Sequence, residues 1–442
     1  MKILCDPDHG EAAGPSRGAL VLAAAAGLGL GLALAPRVFH NYDVVDCFLT
    51  WARASAGQRP WDIYLTDFKT NCDYPPLVPY LLTLAEAARR ALRAPETGGR
   101  AIVLLKLPNL LAWIAAVPLC ALGLRAPFGQ AAAREAALLA ALSFPFLVNA
   151  AAWGQFDVLL TVLLMAAVVA LLRERPMLAG GLVGAALATK LLAVVAFPVL
   201  ALWTWRRFGP ARVVLAAVAG LAVVTLLALP YLMAGAGDRM RQAYSGAVNY
   251  YPLRSAEAYN GWYLLDRFDI AVRGLPAAEA RIDSRRMVGP VTFREAGLAA
   301  FAAYVLMLGW GVVRRPTGPV LVFAAALSFF GFFMLPTQVH QRYLVPAAAM
   351  LGLTAAASAR DLALWAGVSL TAGLNQALDL ARAMLDHAVR ADAAAAATVS
   401  VPGYRGPIRI AACVVAVVNI ALFLWATRVY WREVVAAPAP HE

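Results

Sequence analysis

Long runs with almost no ionisable side chain recur from one end of this chain to the other, and they decide what it can fold into. Predominantly apolar windows can be cut at 18–35, 101–124, 135–152, 156–172, 177–189, 191–205, 212–233, 295–313, 317–335, 343–358, 361–380 and 408–427. The hydrocarbon core of a bilayer takes a helix of roughly 20 apolar residues, so about twelve such windows use more than half of the chain. Hydrophobic residues make up 62% of the 442 and charged residues 14%, against roughly 45–50% and 25% in soluble domains. A soluble enzyme on a few anchors is excluded. The expected architecture is all-α and polytopic, with about twelve membrane-spanning helices and a range of roughly ten to thirteen.

The first window, preceded by Lys2 and Arg17, has the outline of a signal peptide, but Pro36 after Ala35 disfavours cleavage. It reads as a retained anchor. The excess of 38 Lys+Arg over 26 Asp+Glu gives a net charge of +12, which in a soluble protein would suggest nucleic acid. Here no Arg-rich helix or basic-aromatic platform stands clear of the apolar windows, so no nucleic-acid partner is expected. With the N-terminus inside, the short loops carrying Arg125 and Arg134, Arg173 and Arg175, Arg206 and Arg207, Arg314 and Arg315, Arg360, and Arg428 all fall in the cytoplasm. That is the positive-inside pattern of a bacterial-type plasma membrane protein. The long segments 36–100 and 234–294 are then external loops, which that rule exempts.

Residues 77–92, LVPYLLTLAEAARRAL, carry Glu86, Arg89 and Arg90, and are expected to lie on the external surface as an amphipathic helix. Residues 1–350 form the expected catalytic module, with both long loops. Residues 351–442 add C-terminal spans and no separate soluble domain. The Ala-rich stretch 391–397 reads as a loop or short helix. Cys5, Cys47, Cys72, Cys120 and Cys413 show no metal-ligand spacing; Cys47 and Cys72 share one external loop, where a disulfide is an open alternative.

Ionisable groups in lipid are costly and tend to mark sites or pathways. None occupies the central third of a window. Asp157, Lys190, His340 and Arg342 sit instead at span ends, all on the external side, facing a first loop rich in Asp. This points to a site at the outer membrane surface.

Three constellations could do chemistry there. In the first loop, Tyr42-Asp43-Val44-Val45-Asp46 precedes Trp51 and Asp73-Tyr74-Pro75-Pro76-Leu77. A carboxylate held ionised beside a span end can take the proton of an attacking hydroxyl; Asp43 is the candidate base and Asp46 its competitor. Asp73 suits either substrate contact or capping of the following helix. Trp153-Gly154-Gln155-Phe156-Asp157 offers an apolar ring face, and polar groups suited to sugar hydroxyls. Lys190 with Gln338-Val339-His340-Gln341-Arg342 offers a point charge and a guanidinium fork for a phosphate. The stretch 244–265 is rich in Tyr, Asn and Trp, and contributes Asn260 and Trp262 as further candidate contacts.

Taken in order, Asp43, Trp51, DYPPL at 73–77, WGQFD at 153–157, Lys190 and HQRYL at 340–344 resemble a known family. They are similar to the bacterial GT-C glycosyltransferases related to the mannosyltransferase that adds the second mannose of GPI anchors. The resemblance covers roughly 18–350. It implies a multi-span, inverting enzyme that uses a polyprenyl-phosphate sugar and passes a hexose, mannose favoured, to a glycan or lipid acceptor. By position it gives Asp43 the base role, Lys190, His340 and Arg342 the donor phosphate, and Trp153 to Asp157, with Gln155, the sugar region; Asp73, Tyr74 and Asn260 are added as sugar or acceptor contacts from the residues themselves. Gln341 stands where the family commonly has Glu, and Leu191 where a Pro often follows the Lys. No cofactor is expected, although a divalent cation bridging Asp and phosphate stays open. The rival reading is a transporter or lipid flippase, which would usually place ionisable or broken segments at mid-bilayer.

Overall fold

The computed structural model describes residues 14–246, 251–391 and 405–437. Lys2, Cys5, residues 247–250 of the aromatic stretch and all but the first residue of 391–397 lie outside the described residues.

The apolar windows become helices because, in hydrocarbon, each backbone N–H and C=O must find its partner within the segment. In chain order, α1 (Arg17–Leu34) leads into a π-helical segment, Tyr42–Leu49, and the amphipathic α2 (Leu77–Ala91) precedes α3 (Gly99–Gly123). Next, α4 (Gln130–Ala141) continues into a second π-helical segment, Leu147–Trp153. Then come α5 (Asp157–Leu172) and α6 (Pro176–Thr189), a 3-10 turn over Leu191–Ala196, α7 (Phe197–Phe208) and α8 (Pro210–Met233). The second long loop holds α9 (Gly261–Ala271) and a small hairpin of β1 (Arg286–Val288) and β2 (Val291–Thr292). Finally, α10 (Phe293–Arg314) and α11 (Gly318–Met334) are followed by α12 (Val345–Gly352), α13 (Ala359–Ala391) and α14 (Arg405–Tyr430). Apart from the hairpin, the described residues are all-α.

Among the described residues, seven helical segments are long and apolar enough to cross a membrane: α1, α3, Gln130–Trp153, Leu191–Phe208, α8, α10 and Arg405–Val435. α5, α6 and α11 are apolar but shorter. The other two windows depart from simple spans. Window 343–358 resolves into the eight-residue α12 and a 3-10 turn, Ala355–Ala357. Window 361–380 opens α13, whose 33 residues reach about 50 Å at 1.5 Å per residue, more than a bilayer core needs. Its second half buries Asn375, Gln376, Asp379 and Asp386. Gln376 accepts from Asn149 (2.8 Å), and Asp379 accepts from Gln341 (2.8 Å). The helices after residue 351 therefore reach side chains of the segment before it.

The amphipathic reading of 77–92 holds: α2 buries Val78, Leu82 and Ala85 and exposes Leu84 and Arg90. Its buried Glu86 is satisfied by Arg89, through both carboxylate oxygens at 2.7 Å. At the far end of the bundle from Asp43, basic loop residues are tied to their neighbours: Arg207 to Glu174 (3.0 Å), and Arg314 to the Val435 carbonyl (2.7 Å).

α6 and α8 meet backbone to backbone. A Cβ on Gly180 would lie 2.0 Å from the Ala216 carbonyl oxygen, and one on Gly184 2.3 Å from that of Gly220. Small residues four apart let membrane helices approach this closely. Gly184→Val is expected to lower the thermal midpoint in detergent, with an overpacking cost of at least about 1–3 kcal/mol; an unchanged midpoint would contradict this packing.

Candidate active site

One cavity collects most of the residues singled out in the sequence. Asp43, Asp73, Tyr74, Gln155, Lys190, His340 and Arg342 all line it. They arrive from five places: the π-helical segment after α1, the loop before α2, the turn between the second π-helical segment and α5, the break after α6 and the break after α11. Chain order and alternating helices bring these breaks to one end of the bundle.

Asp43 is held from one side. Its Oδ2 accepts from Trp153 Nε1 (2.7 Å) and Gln155 Nε2 (2.6 Å), and His40 Nδ1 lies 3.4 Å away. Among the described residues Oδ1 has no partner. Tyr74 fixes the orientation of the Gln155 amide: its hydroxyl donates to Gln155 Oε1, so the NH2 group must face Asp43. Gly154 makes the turn, with φ +93° and its N–H bonded to the Asn149 carbonyl at 2.8 Å.

Burial alone would push the Asp43 carboxyl up, but His40, Arg342, Trp153 and Gln155 outweigh it and hold the group below the ordinary carboxylate range. His40 is itself lowered by burial. Its Nδ1 accepts the Asp43 backbone N–H (3.3 Å). Asp73, exposed on the cavity wall yet crowded by protein, moves the other way: burial raises its carboxyl despite Lys190 and Arg342.

The cations are organised by a buried carboxylate. Asp157 is fully buried. Lys190 Nζ lies 2.6 Å from its Oδ1 and Arg342 Nε 3.4 Å from its Oδ2, while Asn149 donates to Oδ2 at 3.3 Å. Lys190 can reach this position because α6 stops at Thr189 and Lys190 is extended, with φ −164° and ψ 140°. Its ammonium also faces the rings of Tyr74 and Tyr343, at 5.7 and 5.3 Å. Two cations share one anion, leaving net positive charge beside Asp43.

Several expectations are corrected. Asp157 does not line the cavity; it is the counter-ion of Lys190 and Arg342 and has no oxygen left for a sugar. The Trp153 indole N–H and one N–H of Gln155 go to Asp43, which makes both side chains its positioners. Asn260 is fully buried and caps α9, accepting from Trp262 and Tyr263 and donating to the Phe333 carbonyl at 2.8 Å. Asp46 is exposed and outside the cavity lining, so the geometry favours Asp43. His340 is not a cation: burial, then Arg342 and Lys190, lower its imidazole well below the ordinary value. Cys47 and Cys72 are buried and free rather than bonded, and burial pushes the Cys47 thiol up to about 12. Among the described residues no cluster of three or more His, Cys, Asp or Glu is placed to hold a metal ion.

His40 and Lys106 escaped the sequence reading. His40 lies three residues before Asp43 and stacks on Trp153, with centroids 4.9 Å apart. Lys106 was the visible signal, an ionisable residue inside an apolar window, but it falls just outside that window's central third.

The family model of glycosyltransferase family 87 matches residues 74–336, more than half of the chain. The chain belongs to glycosyltransferase family 87. That membership makes it a membrane glycosyltransferase of the GT-C type, not a transporter. One solved structure agrees on the fold. ArnT from Cupriavidus metallidurans, in a crystal structure bound to undecaprenyl phosphate, is 16% identical with a TM-score of 0.50, over 95% of this chain and 78% of that one. The same protein in its apo state gives 15% and 0.49, over 94% and 77%. The Archaeoglobus fulgidus oligosaccharyltransferase gives 13% and 0.42, over 92% of this family 87 chain but only 56% of that protein. No curated protein matches the chain.

Because donated hydrogen bonds add to neighbouring charges in holding the Asp43 carboxyl down, removing one should raise its pKa. Trp153→Phe is expected to move the acidic limb of the kcat profile to higher pH, since Asp43 is then protonated earlier as pH falls. A pH–rate series on parent and variant checks this, and a limb that stays or moves down would contradict it.

Proposed function

We propose that this family 87 enzyme transfers a hexose, mannose favoured, from a polyprenyl-phosphate sugar to a glycan or lipid acceptor, with inversion at the anomeric carbon. The observation that carries the reading is the single cavity in which Asp43 faces Lys190 and Arg342. In the transfer, the acceptor hydroxyl oxygen attacks the anomeric carbon and its proton passes to Asp43. The bond from that carbon to the phosphate oxygen breaks, and Lys190 and Arg342 meet the charge that develops on the leaving phosphate. Neutral His340 can serve only as a hydrogen-bond partner there. Tyr74 and Asp73 are then the wall against which sugar or acceptor packs. No covalent nucleophile and no cofactor is needed.

A lipid-borne donor suits a site set at the end of a membrane bundle, and ArnT, which shares the fold, has been crystallised with undecaprenyl phosphate. The positive-inside rule, which assigns the short Arg-rich loops to the cytoplasm, supports a site on the external face of a bacterial-type inner membrane. On this reading the helices after residue 351 support the catalytic module.

Asp43→Asn is expected to cut sugar transfer by about 10²–10⁴-fold, the usual contribution of a general base, with expression and donor binding retained. Incubating parent and variant with a panel of polyprenyl-phosphate sugars and measuring released lipid phosphate tests it; near-parental turnover would remove Asp43 from the base role. Arg342→Ala should weaken use of the donor by about 2 kcal/mol, roughly thirtyfold in kcat/KM, as for the loss of a charged hydrogen bond. Donor kinetics equal to the parent's would show that the phosphate binds elsewhere.

A further inference from the structure

Lys106 is fully buried in α3 and, among the described residues, forms no ion pair with any carboxylate. Its Nζ instead lies within hydrogen-bond distance of four backbone carbonyls: Ala35 (3.0 Å), Val38 (2.8 Å), Ala151 (2.7 Å) and Ala152 (3.1 Å). Four acceptors and no donor around one nitrogen are the surroundings of an ammonium, which has three N–H groups and shares one of them. The four oxygens belong to two helix ends. Ala35 and Val38 close α1 and lead to His40 and Asp43. Ala151 and Ala152 close the second π-helical segment and lead to Trp153 and Gln155. Carbonyls at helix C-termini lack intrahelical partners and favour a cation.

The two ends also touch directly. The His40 N–H donates to the Trp153 carbonyl at 3.4 Å, and the His40 ring lies flat on the Trp153 indole. Gly154 presses on the clamp itself: a Cβ there would sit 2.8 Å from Lys106 Cε and 3.0 Å from Val44 Cγ2. The base arrives on one of these strands of chain and both of its side-chain donors on the other. Without a link between them, the 2.6 and 2.7 Å bonds to Asp43 Oδ2 would depend on two independent helix ends.

We propose that Lys106 is a positioning residue for the transfer reaction: its ammonium ties the two helix ends so that Asp43 and its donors Trp153 and Gln155 stay in register. This rests on the reading of Asp43 as the base, and the test separates the two. Lys106→Met keeps the apolar stem and removes the charge; Lys106→Gln keeps two donors. For the purified full chain, Lys106→Met is expected to lower kcat by about tenfold to a hundredfold with donor KM within about twofold. It should also move the acidic limb of the pH–rate profile upward, as loosened donors no longer hold Asp43 ionised. Lys106→Gln should fall between Lys106→Met and the parent. Because Lys106 acts through these donors, Lys106→Met added to Trp153→Phe should cost much less than the product of the two single effects.

A general packing role would reduce the yield of folded protein, leave the acidic limb where it was and combine multiplicatively with Trp153→Phe. Folded variants with parental kcat and pH limb, or full multiplicativity, overturn the proposal. So does failure of both Lys106 variants to accumulate as folded protein, since Lys106 would then serve the whole fold. Asp43→Asn, assayed alongside, tells the two failures apart. If it stays active, the base reading falls; if it is inactive while Lys106→Met behaves as the parent, only the positioning role falls.

Discussion

The site depends on one buried anion. Asp157, at the first turn of α5, offers one oxygen to Lys190 and the other to Arg342, and so draws together a break after α6 and a loop after α11. Removing one partner from such a buried arrangement leaves a charge uncompensated, which is far costlier than losing an exposed ion pair. The arrangement is also incomplete in a useful sense. Two positive groups divide one negative charge, so the cavity beside them favours a further anion. A phosphate ester is the anion whose shape a guanidinium and an ammonium serve best.

Around Asp43 the opposite problem is solved. A carboxylate in a crowded cavity would tend to take up a proton and lose its value as a base. Trp153 and Gln155 counter this with donated hydrogen bonds, Arg342 with its charge, and Tyr74 by locking the amide of Gln155. Asp43 and the Asp157 cluster are thus linked electrostatically through Arg342, which acts on both. The WGQFD turn serves both halves: Trp153 and Gln155 face Asp43, and Asp157, two residues on, faces the cations.

Much of this was legible in the sequence, and the limits have physical reasons. Apolar windows reported most helices because backbone satisfaction in lipid leaves little choice of structure. They failed at 361–380 because α13 runs on past that window into a second half that buries polar side chains, and a window scale averages over that change. Asp43, Lys190 and Arg342 could be found as polar residues at span ends. Their partners were harder, because a donor aimed at a sugar and a donor aimed at another side chain look alike in one dimension. Asp157 and Asn260 were misread for that reason: each is polar, near the site in sequence, and entirely occupied by its own neighbours. Lys106 carries no motif at all. Its role comes from carbonyls 45 to 71 residues away in sequence, which only the folded chain brings together.

Among the described residues, the side-chain contacts to the Asp43 carboxylate converge on one of its two oxygens. A hydroxyl seeking the remaining lone pairs can therefore come in along only a narrow range of directions. Regiochemistry need not be encoded by a dedicated reader of each acceptor hydroxyl; presenting a single proton-accepting edge at a set angle to the cation pair is enough to rank them. Two family members with the same polar residues could then glycosylate different positions simply by tilting that edge.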